Sequence, residues 1–343
     1  MENSIKNNRI NEIIEELEKL IGIKEEINND QLLSLIRDGK VKESAKTIAR
    51  QLGLPIDIDI HYVPKNYKLQ NSNEQFRIRG TQLARNNEGI VAQISIPSNL
   101  PLYGSPALNN YPITVKVSEN CIDHPFAFLA IMAHELSHIL LSSLYYKEKD
   151  NEYFVDITPV MLGLKTILQI GHKVTSDEGN TTYGYLSDQQ FTFVINKVNL
   201  MLGKYIGEKK QLYKSTQKLN EMVSKWKTIV FRFAKFIDYI RIHHDQKFSP
   251  DDSKNITLFF QPGYFDNFEM ITKNYSQKIA EIENFHKNLC HYTIQNLEYI
   301  KKYDKEAEDG LINLQNLLMN IKCGEKMIKK YINIWVRIRT YLI

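Results

Sequence analysis

An almost unbroken apolar stretch from Phe126 to Leu141 carries three polar residues in its middle, in the order Ala133-His134-Glu135-Leu136-Ser137-His138. Phe126, Phe128, Leu129, Ile131, Met132, Ile139, Leu140 and Leu141 point to every side of a helix, so a helix here is apolar nearly all round and therefore buried. Pro125 suits its first turn, and Asp123 or His124 can cap it. Two imidazoles and a carboxylate inside such a helix are each costly unless they find partners. Positions four apart stack on one helix face, so His134 and His138 can grip one divalent ion while Glu135 reaches a water bound to it. A zinc ion satisfies all three at once, directly or through its water, and the pattern predicts a metal centre rather than a pair of ordinary core histidines.

A catalytic zinc site needs a third protein ligand and an open position, so the search moves downstream. Metzincins place a His six residues after the second ligand, behind a Gly; Leu144 and Leu141 occupy those positions here, which excludes that family. The next candidates are in Asn151-Glu152-Tyr153-Phe154-Val155-Asp156, where Glu152 and Asp156 stand one helical turn apart. In these residues the chain resembles the gluzincins, whose H-E-x-x-H helix is followed by a second helix carrying E-x-x-x-D. The resemblance implies a zincin-like metallopeptidase with Zn2+ as cofactor and His134, His138 and Glu152 as ligands. Asp156 then accepts a hydrogen bond from one of the ligand imidazoles and orients it. Glu135 would be the general base on the zinc-bound water, in an endopeptidase rather than an exopeptidase. Pro159 lies three residues after Asp156, so a helix running from Glu152 to Leu168 either kinks there or begins there. In the second case Asp156 or Thr158 is simply an N-cap. The short link from Tyr145 to Asn151 can bring the two helices together antiparallel.

The resemblance covers roughly residues 40 to 203. Lys42 to Gly53 has a helical pattern, Ile56 to Val63 alternates with period two, and Gly89 to Ile96 and Pro112 to Ser118 read as two further strands. Helix, strands and metal helix follow the order of a zincin N-terminal subdomain. In that fold the last but one strand before the metal helix forms the sheet edge along which an extended substrate lies. By resemblance, Ile90, Val91, Ala92, Gln93, Ile94, Ser95 and Ile96 form that substrate rail. After an apolar helix to Ile170 comes a polar loop from Lys173 to Gly184, and Ser187-Asp188-Gln189-Gln190 is a capping box that opens a helix toward Leu202. His172, Tyr183 and Tyr185 are the nearest residues in sequence that could assist a developing oxyanion.

The last third changes character. From Lys209 to Gln246 and from Phe268 to Leu342, apolar residues recur at three and four, as in Ala307, Leu311, Leu314, Leu318, Ile321, Ile328, Ile332, Trp335 and Leu342. Lys247 to Tyr264 breaks the pattern with Ser249-Pro250 and Pro262-Gly263, and Glu306 to Gly310 predicts a second turn. The division is therefore N-terminal helices (1–39), a zincin-like domain with a small mixed sheet (40–206) and a C-terminal helical bundle or coiled-coil arm (207–343). The class is α+β.

The chain's 343 residues are 43% hydrophobic, enough for more than one core, and no apolar run approaches the roughly 20 residues of a membrane span. Met1 to Lys6 lacks the apolar core of a signal peptide, and Cys121, Cys290 and Cys323 are scattered, without metal-ligand spacing; a cytoplasmic protein with reduced thiols is expected. Residues 205–343 hold 23 Lys and Arg against 16 Asp and Glu, a surplus the rest of the chain partly offsets to give +4. The aromatics among those cations, Trp226, Phe231, Phe233 and Phe236, follow core spacing, so the basic face reads as solvated rather than as a nucleic-acid surface. Two functions fit: a zinc peptidase acting on a peptide or protein, or a zincin-like scaffold that binds a protein partner through its helical arm.

Overall fold

The computed structural model describes residues 2–65, 67–68, 72, 75–85, 88–171, 173–176, 179–182, 186–243 and 263–341. It is α+β, and the chain divides into two compact units, Met1–Lys204 with His291–Ile294, and Tyr205–Cys290 with Gln295–Ile343. Each is described by itself.

In the first unit, α1 (Glu2–Ile21), α2 (Asn29–Arg37) and α3 (Val41–Gln51) precede the sheet. Ile10, Ile13, Ile14 and Leu17 bury one stripe of α1, and Asn28 caps α2 by accepting a hydrogen bond from the Gln31 backbone N–H. Four strands follow: β1 (Asp57–Val63), β2 (Phe76–Arg85), β3 (Glu88–Pro97) and β4 (Pro112–Ser118), arranged β1-β4-β3-β2. β1 and β4 are parallel, and the other two pairings are antiparallel. Ile113, Val115 and Val117 alternate inward along β4, and Ala92, Ile94 and Ile96 do so along β3. Against β2 and β3 packs α4 (Pro125–Ser143), which is buried at every residue from Ala127 to Ser143.

This arrangement corrects the substrate rail. Residues Ile90 to Ile96 lie on β3, which pairs with β2 along its whole length and with β4 through Ala92–Ile94, so β3 is interior. The edges are β1 and, beside β3, β2, a strand that the three-strand reading lacks. The stretch read as a loop after Gly171 likewise holds a small hairpin, β5 (Lys173–Ser176) with β6 (Gly179–Thr182).

Beyond α4 the chain forms α5 (Glu152–Pro159), one wide π-type turn (Val160–Leu164) and α6 (Lys165–Gly171). The helix neither kinks nor starts at Pro159. It begins at Glu152, capped by the Asn151 side chain, and breaks at Leu162 and Gly163, where Gly163 has φ +83°. The carbonyls freed by that break are taken up by the Lys24 and Ile27 backbone N–H groups, which donate to Met161 and Gly163, and by Gln51, which donates to Leu162. A Cβ on Gly163 would lie 2.1 Å from the Glu25 carbonyl oxygen, so only glycine fits.

Helices α4 and α5–α6 are both long and apolar enough to cross a membrane by length and mean hydropathy, which corrects the expectation that no segment reaches that size. Their apolar windows are 94% and 78% buried inside the protein, so core packing already accounts for them.

A capping box of Ser187 and Gln190, each donating its backbone N–H to the other's side-chain oxygen, opens α7 (Asp188–His243). That helix runs on without the expected pause near Leu202. In the second unit its later part joins α8 (Asp266–Asn288) and α9 (Ile294–Tyr341). Leu212, Leu219, Trp226 and Phe233 on α7 repeat every seven residues, as do Ile300, Ala307, Leu314, Ile321 and Ile328 on α9, and together with Phe268, Ile279 and Ile282 of α8 they form one core. Tyr213–His286 with Trp226–Thr272 sets α8 antiparallel to α7, Phe285–Tyr299 with Lys278–Glu306 sets it antiparallel to α9, and Arg232–Glu325 with Phe236–Lys329 shows α7 and α9 parallel. No turn occurs at Glu306–Gly310. Gly310 sits inside α9 where a Cβ would come within 2.8 Å of the Tyr275 ring and 3.3 Å of Leu219, so it marks a close approach of three helices. The second break lies at residues 289–293 instead, and there Tyr292 exchanges two backbone hydrogen bonds of 2.7 Å with Ile23 of the first unit's fold. The break expected from Lys247 falls, up to residue 262, outside the described residues.

Candidate metal centre

The C-terminal end of α4 explains how its residues meet those of α5. Tyr145 adopts φ +51°, its N–H bonds to the Ser142 carbonyl, and the Tyr146 N–H bonds to the Leu141 carbonyl. This paired closure of a helix end reverses the chain, here with a tyrosine where glycine is usual. The Tyr145 hydroxyl holds the reversal by donating to the Leu100 carbonyl at 2.8 Å. Glu152, the first residue of α5, is thereby set opposite the two histidines of α4.

His134, His138 and Glu152 each offer a ligand atom, and these atoms lie within 4.8 Å of one another. His134 and His138 are only 3% and 2% exposed, and their rings stand edge to face at 5.1 Å. The Nε2 atoms lie 3.3 Å (His134) and 3.6 Å (His138) from Glu152 Oε2. Around a tetrahedral ion with bonds of about 2.0–2.1 Å, neighbouring ligand atoms stand roughly 3.3 Å apart, so the set has the size such an ion requires. Glu152 Oε2 is buried and makes no hydrogen bond, although two imidazole nitrogens face it. A buried carboxylate oxygen that makes no hydrogen bond is costly, and a cation among these three atoms removes that cost.

Asp156 follows one turn after Glu152. Its Oδ1 lies 2.8 Å from His134 Nδ1, and its Oδ2 accepts the Leu186 N–H at 3.3 Å, so both carboxylate oxygens are engaged and neither caps a helix. Accepting from Nδ1 turns His134 Nε2 toward Glu152 and His138. Glu135, beside His134 on α4, is 1% exposed.

The two imidazoles are driven in opposite directions. Burial works against charge on His134, but the hydrogen bond to Asp156 and the nearby Glu152 and Glu135 carboxylates prevail and raise it to about 10. Burial, the neighbouring His134 and the cation of Arg79 push His138 down to about 2. The pocket of carboxylates thus draws in one positive charge, and a metal ion is an alternative to the proton.

Two residues that sequence reasoning missed come from β2. Arg77 and Arg79 both bind Asp150, with Arg77 Nη1 at 3.1 Å; Arg77 also donates to Ser142 Oγ, and Arg79 Nη1 lies 4.0 Å from Glu152. The alternation Phe76-Arg77-Ile78-Arg79 is the signal that could have found them. His172, Tyr183 and Tyr185 lie outside the described residues.

No protein-family model matches this chain, and neither does any curated protein or any solved structure. The site therefore rests on its own residues.

Proposed function

We propose that this protein is a zinc-dependent peptidase of the gluzincin type, cytoplasmic and acting on a peptide or protein. The convergence of His134, His138 and Glu152 in a buried site, with a second carboxylate at Glu135 beside them, is the observation that carries this reading. A zinc ion held there would supply a Lewis acid and lower the pKa of a bound water to about 7. Glu135 would take the proton of the attacking water and pass it to the leaving amine. Asp156 would keep His134 in the tautomer that presents Nε2. Arg79, 4.0 Å from Glu152, would steady that ligand. A purely structural ion has no use for the base at Glu135, which favours catalysis over a scaffold role. The helices of the second unit would select the substrate or a protein partner.

The test is Glu135→Gln, which keeps the side chain's shape and removes its basicity. Purified wild type and variant should each hold about one zinc per chain, while peptide cleavage falls at least about 100-fold in the variant. Equal cleavage by the two proteins, or preparations without zinc, would sink the reading.

A further inference from the structure

A cavity of about 260 Å³ is lined by Arg77, Ile96, Pro97, Ser98, Leu100, Ser142, Tyr145 and Lys149. Ser142 stands one helical turn beyond His138, so the cavity adjoins the metal centre along α4. Two of its lining residues are cations and none is an acid. Asp150, outside the lining, must serve Arg77 and Arg79 together, so one carboxylate faces two guanidinium groups. Lys149 has no carboxylate partner among the described residues. Arg77 Nε is buried and finds no hydrogen-bond acceptor among the described residues. A buried donor on a charged group is costly to leave unmade, and an incoming anion is the simplest acceptor. Ile96, Pro97, Leu100 and Tyr145 supply walls for a short apolar stem. At about 260 Å³ the space is smaller than the roughly 300–1,000 Å³ of sites for whole small ligands, and suits one side chain.

We propose that this cavity is a specificity pocket that receives a carboxylate of the peptide substrate, with Arg77 and Lys149 as its cations and Ser98 as its hydroxyl donor; the Ser142 hydroxyl is already given to the His138 carbonyl. The proposal rests on the peptidase reading and names the substrate class of that site: peptides with Asp or Glu next to the point of cleavage. Arg77 also fastens β2 to α4 through Ser142, so the discriminating variants are placed at Lys149, whose side chain makes no hydrogen bond or ion pair among the described residues.

The experiment compares N-acetylated, C-amidated fluorescent peptides that differ only in Glu or Gln at one position, scanned along the sequence. Binding is measured by anisotropy to full-length, zinc-loaded Glu135→Gln protein, and cleavage by the wild type. One Glu position should bind at least roughly tenfold more tightly than its Gln counterpart, the scale of a charge-assisted hydrogen bond, with the gap narrowing as salt is raised. Lys149→Met should cut that preference severalfold, and Lys149→Glu should abolish or reverse it in favour of Lys. A Gln peptide with a free C-terminus serves as a further arm; binding of it over its amide, lost in Lys149→Glu, would assign the carboxylate to the chain end. Equal binding of every Glu and Gln pair, with no preference for the free C-terminus, would overturn the pocket, as would a preference unchanged in both Lys149 variants. Absence of cleavage would count against the peptidase reading alone, because the binding arm decides the pocket without turnover.

Discussion

Two helices of this protein bury their apolar residues in opposite ways. α4, 19 residues long, is buried all round from Ala127 to Ser143, whereas α9, 48 residues long, buries a seam of Ile300, Ala307, Leu314, Leu318, Ile321 and Ile328. In the first environment every polar side chain must find a partner, so His134, Glu135 and His138 carry information about chemistry. In the second, a charge on the outer face costs almost nothing, and the many Lys and Glu residues of α9 say little about function. Glycines divide along the same line. Gly163 is held in a left-handed conformation against the Glu25 carbonyl, Gly310 is a contact point in a regular helix, and Gly207 has nothing within 4 Å of the position a Cβ would take.

The sharpest break of this contrast is Gly163→Ala. The strained φ and a Cβ placed 2.1 Å from a backbone oxygen should together destabilise the first unit by about 3 kcal/mol or more. Denaturant unfolding followed by near-UV circular dichroism measures this, and a loss below about 1 kcal/mol would show that the turn after α5 can rearrange. Asp156→Asn comes next. It removes the carboxylate that orients His134 while keeping one acceptor, and should weaken zinc binding roughly 10- to 100-fold in a chelator competition, with helix content unchanged. An unchanged affinity would reduce Asp156 to a tie for Leu186. Gly310→Ala should cost about 1 kcal/mol net, because crowding of the Tyr275 ring, worth about 1–3 kcal/mol, is offset by about 1 kcal/mol of helix propensity. Gly207→Ala meets no neighbour and should stabilise α7 by up to about 1 kcal/mol; a loss of stability there would mean that the helix needs its flexibility.

What could be read from the sequence follows the same physics. Buried polar residues at a fixed helical spacing are legible, so His134, His138 and Glu152 could be named together and the structure brings them together. The period-two pattern of β1 and the strands β3 and β4 were also readable. β2 was not, because Arg77, Arg79, Gly80 and Gln82 look like a polar loop unless one knows that Asp150 waits for the arginines across 71 residues or more of chain. That omission moved the sheet edge by one strand. Pro159 drew attention as a breaker, but the break falls at Gly163, where the backbone of residues 24–27 replaces the missing helix bonds; no local rule reveals such distant partners. In the bundle the error ran the other way: Gly310 and its charged neighbours suggested a turn that long-range packing overrides.

The docking of Tyr292 on Ile23 has a consequence for the order in which the protein is made. The segment His291–Ile294 belongs to the first unit, yet all of Tyr205–Cys290 separates it from Lys204 along the chain. At about 5–20 residues per second, a ribosome would take roughly 4 to 17 seconds to travel that interval. Throughout it, the backbone groups of Ile23 that later pair with Tyr292 are without that partner, and so is the Glu25 carboxylate that receives its hydroxyl. The candidate metal ligands are all synthesised before the wait begins, whereas the last tie on their own fold arrives only once α8 has been translated.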